Sequence, residues 1–194
     1  MSVIAGVLAV QGDVSEHATA AVRAGQSCGH EVEPAEIRTA GTVPACDVLV
    51  IPGGESTTIS RLVHREGIAE EIQTHVEQGK PVFATCAGLI LLSSDSGDER
   101  VETLDVLDVT VERNAFGRQR DSFEIPLAVA GLDDPFPAVF IRAPAVDTVG
   151  DGVEILAEWN GRPVAVRQGS VVGTAFHPEL HSDSRLHEMV LFEN

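Results

Sequence analysis

The strongest constraint on this chain is a set of apolar runs of strand length with little polar alternation: VIAGVLAV (3–10), DVLVIPGG (47–54), PVFATC (81–86), VFIRAP (139–144), PVAVRQ (163–168) and VVGTAF (171–176). A strand with one wet face alternates polar and apolar residues, so unbroken runs belong to strands covered on both faces. A mostly parallel sheet with helices packed on each side provides that cover. Between the runs lie helix-like segments, DVSEHATAAVRAG (13–25), STTISRLVHREG (56–67) and IAEEIQTHVEQG (68–79), each closing on glycine. The first opens on Asp13, a capping residue type, with Glu16 three positions later. Strand and helix alternate over the first half, which predicts an α/β fold. From about 104 to 176 strand-like runs dominate, with NG (160–161) and QGS (168–170) as turns between paired strands. HSDSRLHEMVLF (181–192) is suited to a terminal helix. No repeat or linker interrupts the chain, and its 194 residues suit one domain over 1–194.

Charge narrows the partners. Thirty acidic residues face 13 basic ones, for a net charge of −17, and Lys80 is the only lysine. Such a surface repels nucleic acid and anionic membranes, so neither is expected as a partner. The composition is similar to that of proteins from salt-loving organisms, in which salt screens the self-repulsion, so folding and activity are expected to improve in molar salt. The start, MSVIAGVLAVQGD, has no basic flank or cleavage-type tail and reads as a first strand rather than a leader. No apolar run approaches the length of a membrane span. Three widely spaced cysteines (Cys28, Cys46, Cys86) fit neither a disulfide framework nor a CxxC metal site. A reducing cytoplasm is the expected compartment.

One cysteine stands apart. Cys86 lies between the apolar run PVFAT and the small pair Ala87-Gly88, the pattern of a nucleophile elbow. The helix that follows would present free N–H groups and a positive dipole end to a thiolate or an oxyanion. Alone, a cysteine in apolar surroundings reads as readily as core filler. GTAFHPEL (173–180) changes the balance, because it places His177 and Glu179 just beyond another strand-like run. Residues two apart in extended chain point the same way, so Glu179 can orient His177, and His177 can take a thiol proton. VIPGGESTTISRL (50–62) adds a glycine loop feeding a helix, a place for a backbone oxyanion donor but not a phosphate loop. His17, His30, His64, His75, His181 and His187 have no such partners in sequence and are expected at the surface.

Together these pieces resemble the class I (triad) glutamine amidotransferase family, with its cysteine elbow and His-x-Glu pair on a flavodoxin-like, three-layer α/β sheet. More narrowly, GVLAVQGDVSEH, IPGGESTTISRL, PVFATCAGLILLS, VERNAFGRQRDSFE, VFIRAP and AFHPEL are similar to the family of glutaminase subunits of pyridoxal 5′-phosphate synthases. The resemblance implies hydrolysis of L-glutamine to glutamate and ammonia, with the ammonia passed to a synthase subunit that builds pyridoxal phosphate. It implies Cys86 as nucleophile, His177 and Glu179 as the rest of the triad, and Gly54 and Ala87 N–H groups as oxyanion donors. Gly54, Glu55, Ser56, Arg113, Ile141 and Arg142 match the family's glutamine-binding positions. No metal or organic cofactor is implied, pyridoxal phosphate being the product of the complex. The loop Gln11-Gly12-Asp13 and the GGES loop are expected to take part in docking and switching. Two departures stand out: Ala84 occupies an elbow position that is usually glycine, and segment 25–47 looks longer than usual and is expected to bulge. Rival readings are a glutaminase serving another synthase, a non-catalytic regulatory subunit, and a cysteine-peptidase-like member of the fold group.

Overall fold

Every residue of β3 (Val48–Ile51), β4 (Val82–Thr85) and β12 (Val171–Thr174) is buried, as unbroken apolar runs require. The structure is a computed structural model and describes residues 2–113, 115 and 122–193. These strands are the middle of a seven-stranded sheet completed by β1 (Ser2–Leu8), β2 (Glu31–Ile37), β10 (Glu154–Trp159) and β11 (Arg162–Gln168). Its order is β10-β11-β12-β4-β3-β1-β2. From β12 to β2 the neighbours are parallel; β11 pairs antiparallel with both β12 and β10. The two hairpins turn at Asn160-Gly161 and at Gly169, all at positive φ, as the NG and QGS signals predict.

The helices are α1 (Val14–Ser27), α2 (Ser56–Arg65), α3 (Ala69–Glu77), α4 (Ala87–Leu92) and α5 (Arg185–Leu191). Strand alternation places α5 and α4 on opposite faces of the sheet. Phe83 meets the His187 ring of α5 edge-on at 5.0 Å. Gly173, in register with the next residue Ala84, leaves room for Leu89 of α4 on the other face. Helix α1 packs with α5, and α2 packs with α4. The fold is thus α/β with a mostly parallel sheet between helical layers, as expected. Among the described residues no helix is long and apolar enough to cross a membrane.

The middle of the chain departs from expectation. VFIRAP does not join the main sheet. β8 (Phe136–Phe140) pairs antiparallel with β7 (Phe123–Leu127), and its residues alternate between buried and half-buried. Phe136, Ala138 and Phe140 face the core while Pro137 and Val139 do not, which is the period of a strand covered on one side. β5 (Ser93–Asp95), β6 (Leu107–Glu112) and β9 (Ala145–Val149) form a further small sheet. Segment 25–47 does not bulge; it contains β2, paired with β1 from Ser2↔Glu31 to Leu8↔Ile37. An edge strand tolerates the polar residues and Pro34 that conceal it in sequence. Asp13 precedes α1 but its side chain makes no capping bond.

Three histidines expected at the surface are buried: His17, His75 and His187. Each lies on the apolar stripe of its helix, His17 with Ala20, Ala21 and Ala24, His75 with Ile72, and His187 with Val190 and Leu191. Burial, with nearby His17 adding to it, pushes His187 down to about 3, and neither ring nitrogen has a hydrogen-bond partner among the described residues. The fold therefore refuses a proton that the unfolded chain accepts from about pH 6.5 downward. Stability from this residue is complete above that pH and is lost as pH falls toward 3. Between pH 6.5 and 4.5, His187→Leu is expected to flatten the fall in unfolding free energy by up to about 1.4 kcal/mol per pH unit. Denaturant unfolding at constant high salt measures it, and an unchanged slope refutes the assignment.

Candidate active site

The sheet gathers the site at one edge. β4 and β12 are neighbours with Thr85 opposite Thr174, so the residues that follow each strand emerge side by side. β3 and β1 lie next in the sheet, bringing the Gly53-Gly54 loop and the Gln11–Asp13 loop to the same carboxyl edge. Crevices at such edges are where open α/β sheets bind ligands.

Cys86 follows β4 at φ 49° and ψ −107°, a conformation costly for a residue with a β-carbon. Its N–H donates to the Thr174 carbonyl at 2.8 Å, tying the elbow to β12. Helix α4 begins at the next residue, and a β-carbon at Gly88 would collide with the Ile51 carbonyl. Only glycine lets α4 start so close to β3. Ala84 is accommodated in the buried strand, so the departure there leaves the elbow intact.

His177 leaves the sheet just past β12, held by its N–H to the Val139 carbonyl at 2.8 Å. Its Nδ1 meets Glu179 Oε1 at 2.7 Å, and its ring interacts with Cys86, both facing Gly53. Cys86, His177 and Glu179 are all buried. Burial opposes charge on His177, but its interactions with Cys86 and Glu179 outweigh that and push it up to about 10. Burial raises Glu179 in turn, yet bonds to His17 and His177 outweigh that and hold its carboxyl well below the usual range. Gly53 makes the approach possible: a β-carbon there would sit 2.7 Å from His177 Cε1 and 3.3 Å from Cys86 Cβ.

Cys86 and His177 open into a cavity of about 510 Å³. The expected substrate residues Gly54, Glu55, Ser56, Arg113, Ile141 and Arg142 all line it, as does Ala87. Gly54 lies at φ 145°. Glu55 also caps α2, accepting from Thr57 N at 3.2 Å and Thr58 N at 2.8 Å. Burial would raise it, but these bonds bring its carboxyl down to about 2. Arg113 Nη2 is 3.7 Å from Glu55 Oε1, and its Nη1 pairs with Asp98. In the distinctive block RNAFGRQ, Asn114 and residues 116–119 lie outside the described residues. Gln11 joins its loop to the GGES loop by accepting the Glu55 N–H at 2.8 Å.

Asp13, His177 and Glu179 bring ligand-type atoms within 4.8 Å of one another, with His177 Nδ1 hydrogen-bonded to Glu179 Oε1. A larger groove of about 790 Å³, lined by Asp95, Asp98, Glu112 and Asp147 among others, has no cysteine or histidine among its described lining residues. Sequence reasoning missed His17 and Thr85, which meet behind Glu179. The stripe of α1 was the signal that placed His17 inward.

The chain matches the model of the SNO glutamine amidotransferase family over residues 7–193. A protein of Haloarcula marismortui named pyridoxal 5′-phosphate synthase subunit PdxT is 66% identical over 194 residues, covering 100% of this chain and 98% of its own. A protein of the same name from Methanothrix thermoacetophila is 54% identical over 188 residues, covering 96% of this chain and 97% of its own. A crystal structure of a glutamine amidotransferase superimposes with a TM-score of 0.85 at 46% identity, covering 96% of each chain. On matches that run nearly end to end, the chain belongs to the SNO glutamine amidotransferase family.

Proposed function

We propose that this chain, as one domain, is the glutaminase subunit of a pyridoxal 5′-phosphate synthase, with Cys86, His177 and Glu179 as its catalytic residues. One observation carries the reading: a buried Cys–His–Glu line opens into a cavity whose walls include every expected glutamine-binding residue. Family membership and the relatives' shared name support the substrate and the partner.

Cys86, its proton passed to His177, attacks the side-chain amide carbon of glutamine. The C=O electrons move to oxygen, and the N–H groups of Gly54 and Ala87 hold that oxyanion. His177 protonates the departing nitrogen, ammonia leaves, and a γ-glutamyl thioester remains. His177 then takes a proton from water, whose attack releases glutamate and restores the thiol. Glu179 keeps the imidazole aimed throughout. Glutamine is zwitterionic, and Arg113, Arg142 and Glu55 offer both signs of charge to its carboxylate and ammonium. No cofactor enters these steps. The cytoplasm suits a nucleophile that needs a free thiol, and the net charge of −17 fits the halophilic source of the Haloarcula marismortui relative.

The test is ammonia release from glutamine in molar salt, with and without the synthase subunit. Release that depends on the partner supports the reading. Release indifferent to it favours service to another synthase, and no release under either condition favours a regulatory subunit.

A further inference from the structure

Helix α1 turns His17 inward, where the residue is 0% exposed. Its Nε2 sits 3.0 Å from Thr85 Oγ1 and 3.4 Å from Glu179 Oε2. The other carboxylate oxygen, Oε1, is the one bonded to His177. Two imidazoles therefore face the two oxygens of one buried carboxylate. The contacts run from Cys86 through His177, Glu179 and His17 to Thr85, and the peptide bond after Thr85 returns to Cys86. They close a ring.

We propose that His17 is a positioning residue: with its proton on Nε2 it spans Thr85 Oγ1 and Glu179 Oε2 and fixes the carboxylate that orients His177. A carboxylate held at one oxygen can still rotate about its last side-chain bond, and a donor on the second oxygen stops that rotation. Outer partners of catalytic groups act in this way. Glu179 Oε2 is buried and has no close, well-aligned hydrogen bond, so the His17 N–H at 3.4 Å is its compensation. A buried charged oxygen left bare is costly. His17 is itself steadied by His187 of α5, whose ring centroid lies 5.9 Å away in a tilted contact. Among the described residues its Nδ1 has no hydrogen-bond partner, which leaves Nε2 as the working nitrogen.

The proposal rests on the glutaminase reading. Its test compares His17→Gln and His17→Asn in the complex with the synthase subunit. The Gln amide nitrogen falls near the place of Nε2, whereas the Asn side chain is too short to reach it. His17→Gln is expected to keep kcat within about 3-fold and His17→Asn to lose roughly 30-fold or more, with KM for glutamine nearly unchanged in both. Equal kcat values for the two variants, or losses that only track thermal stability, overturn the proposal. Histidine-labelled NMR of the unmutated protein needs no variant to fold. A proton on His17 Nε2 supports the proposal, and one on Nδ1 overturns it. Should the wild-type complex hydrolyse glutamine while His17→Asn keeps its kcat, this proposal alone falls. A wild-type complex that hydrolyses none removes the glutaminase reading and this proposal with it.

Discussion

Cys86→Ala in the synthase-bound protein is expected to cut ammonia release from glutamine by about 10⁴-fold or more, because no neighbouring group can replace the nucleophile. Fold and docking are expected to survive. Alanine tolerates the buried elbow at φ 49° no worse than cysteine, and the N–H bond to Thr174 does not involve the side chain. The variant also removes one of the two partners that push His177 up to about 10. A glutamate-dehydrogenase-coupled assay at saturating glutamine, with complex formation checked by ultracentrifugation, measures the effect. Activity left above a hundredth of wild type would place the nucleophile elsewhere, since the described site holds no second thiol: Cys28 and Cys46 line no part of the cavity.

Glu179→Gln is the more revealing change. The glutamine side chain keeps the volume of glutamate but can donate an N–H to His177 Nδ1. That bond selects the tautomer with its proton on Nε2, facing Cys86, where it cannot accept the thiol proton. A loss of about 10³- to 10⁴-fold in kcat is expected, with KM for glutamine little changed, because Glu179 lies behind the cavity wall. Stability carries its own signature. The folded carboxyl of Glu179 is held below the usual 4.5, so its contribution is complete above that pH and is lost as pH falls through its lowered folded value. The stability gap between wild type and variant is therefore expected at pH 7 and should narrow in strong acid. Steady-state kinetics and unfolding curves at two pH values test both parts. Unchanged kcat refutes the orienting role of Glu179.

Legibility in the sequence followed how strongly each feature depends on its neighbours. The central strands were plain because burial on both faces leaves continuous apolar runs such as VLVI and VFAT, whatever lies beside them. The NG and QGS turns were plain because positive φ restricts the residues a turn accepts. β2 was hidden, since an edge strand meets water on one side and tolerates Glu31, Glu33 and Pro34. β8 was assigned to the main sheet because its apolar run resembles the others, and only its pairing with β7 reveals a separate ladder. Among the site residues, Cys86 and the His177–Glu179 pair were readable from local pattern, and the glutamine-binding positions from family resemblance.

By itself the sequence determined the layered α/β plan, the elbow at Cys86 and the closeness of Glu179 to His177, although the chain from Pro178 to Leu180 forms a 3-10 turn rather than the extended segment expected. These are local matters of hydrophobic period, turn geometry and side-chain direction. Only the tertiary structure decided that β4 and β12 are neighbours, which brings the cysteine to the histidine across some ninety intervening residues. It also turned His17 toward Glu179. A helical stripe says that a side chain faces inward, but which polar group it meets there depends on how α1 is docked on the sheet.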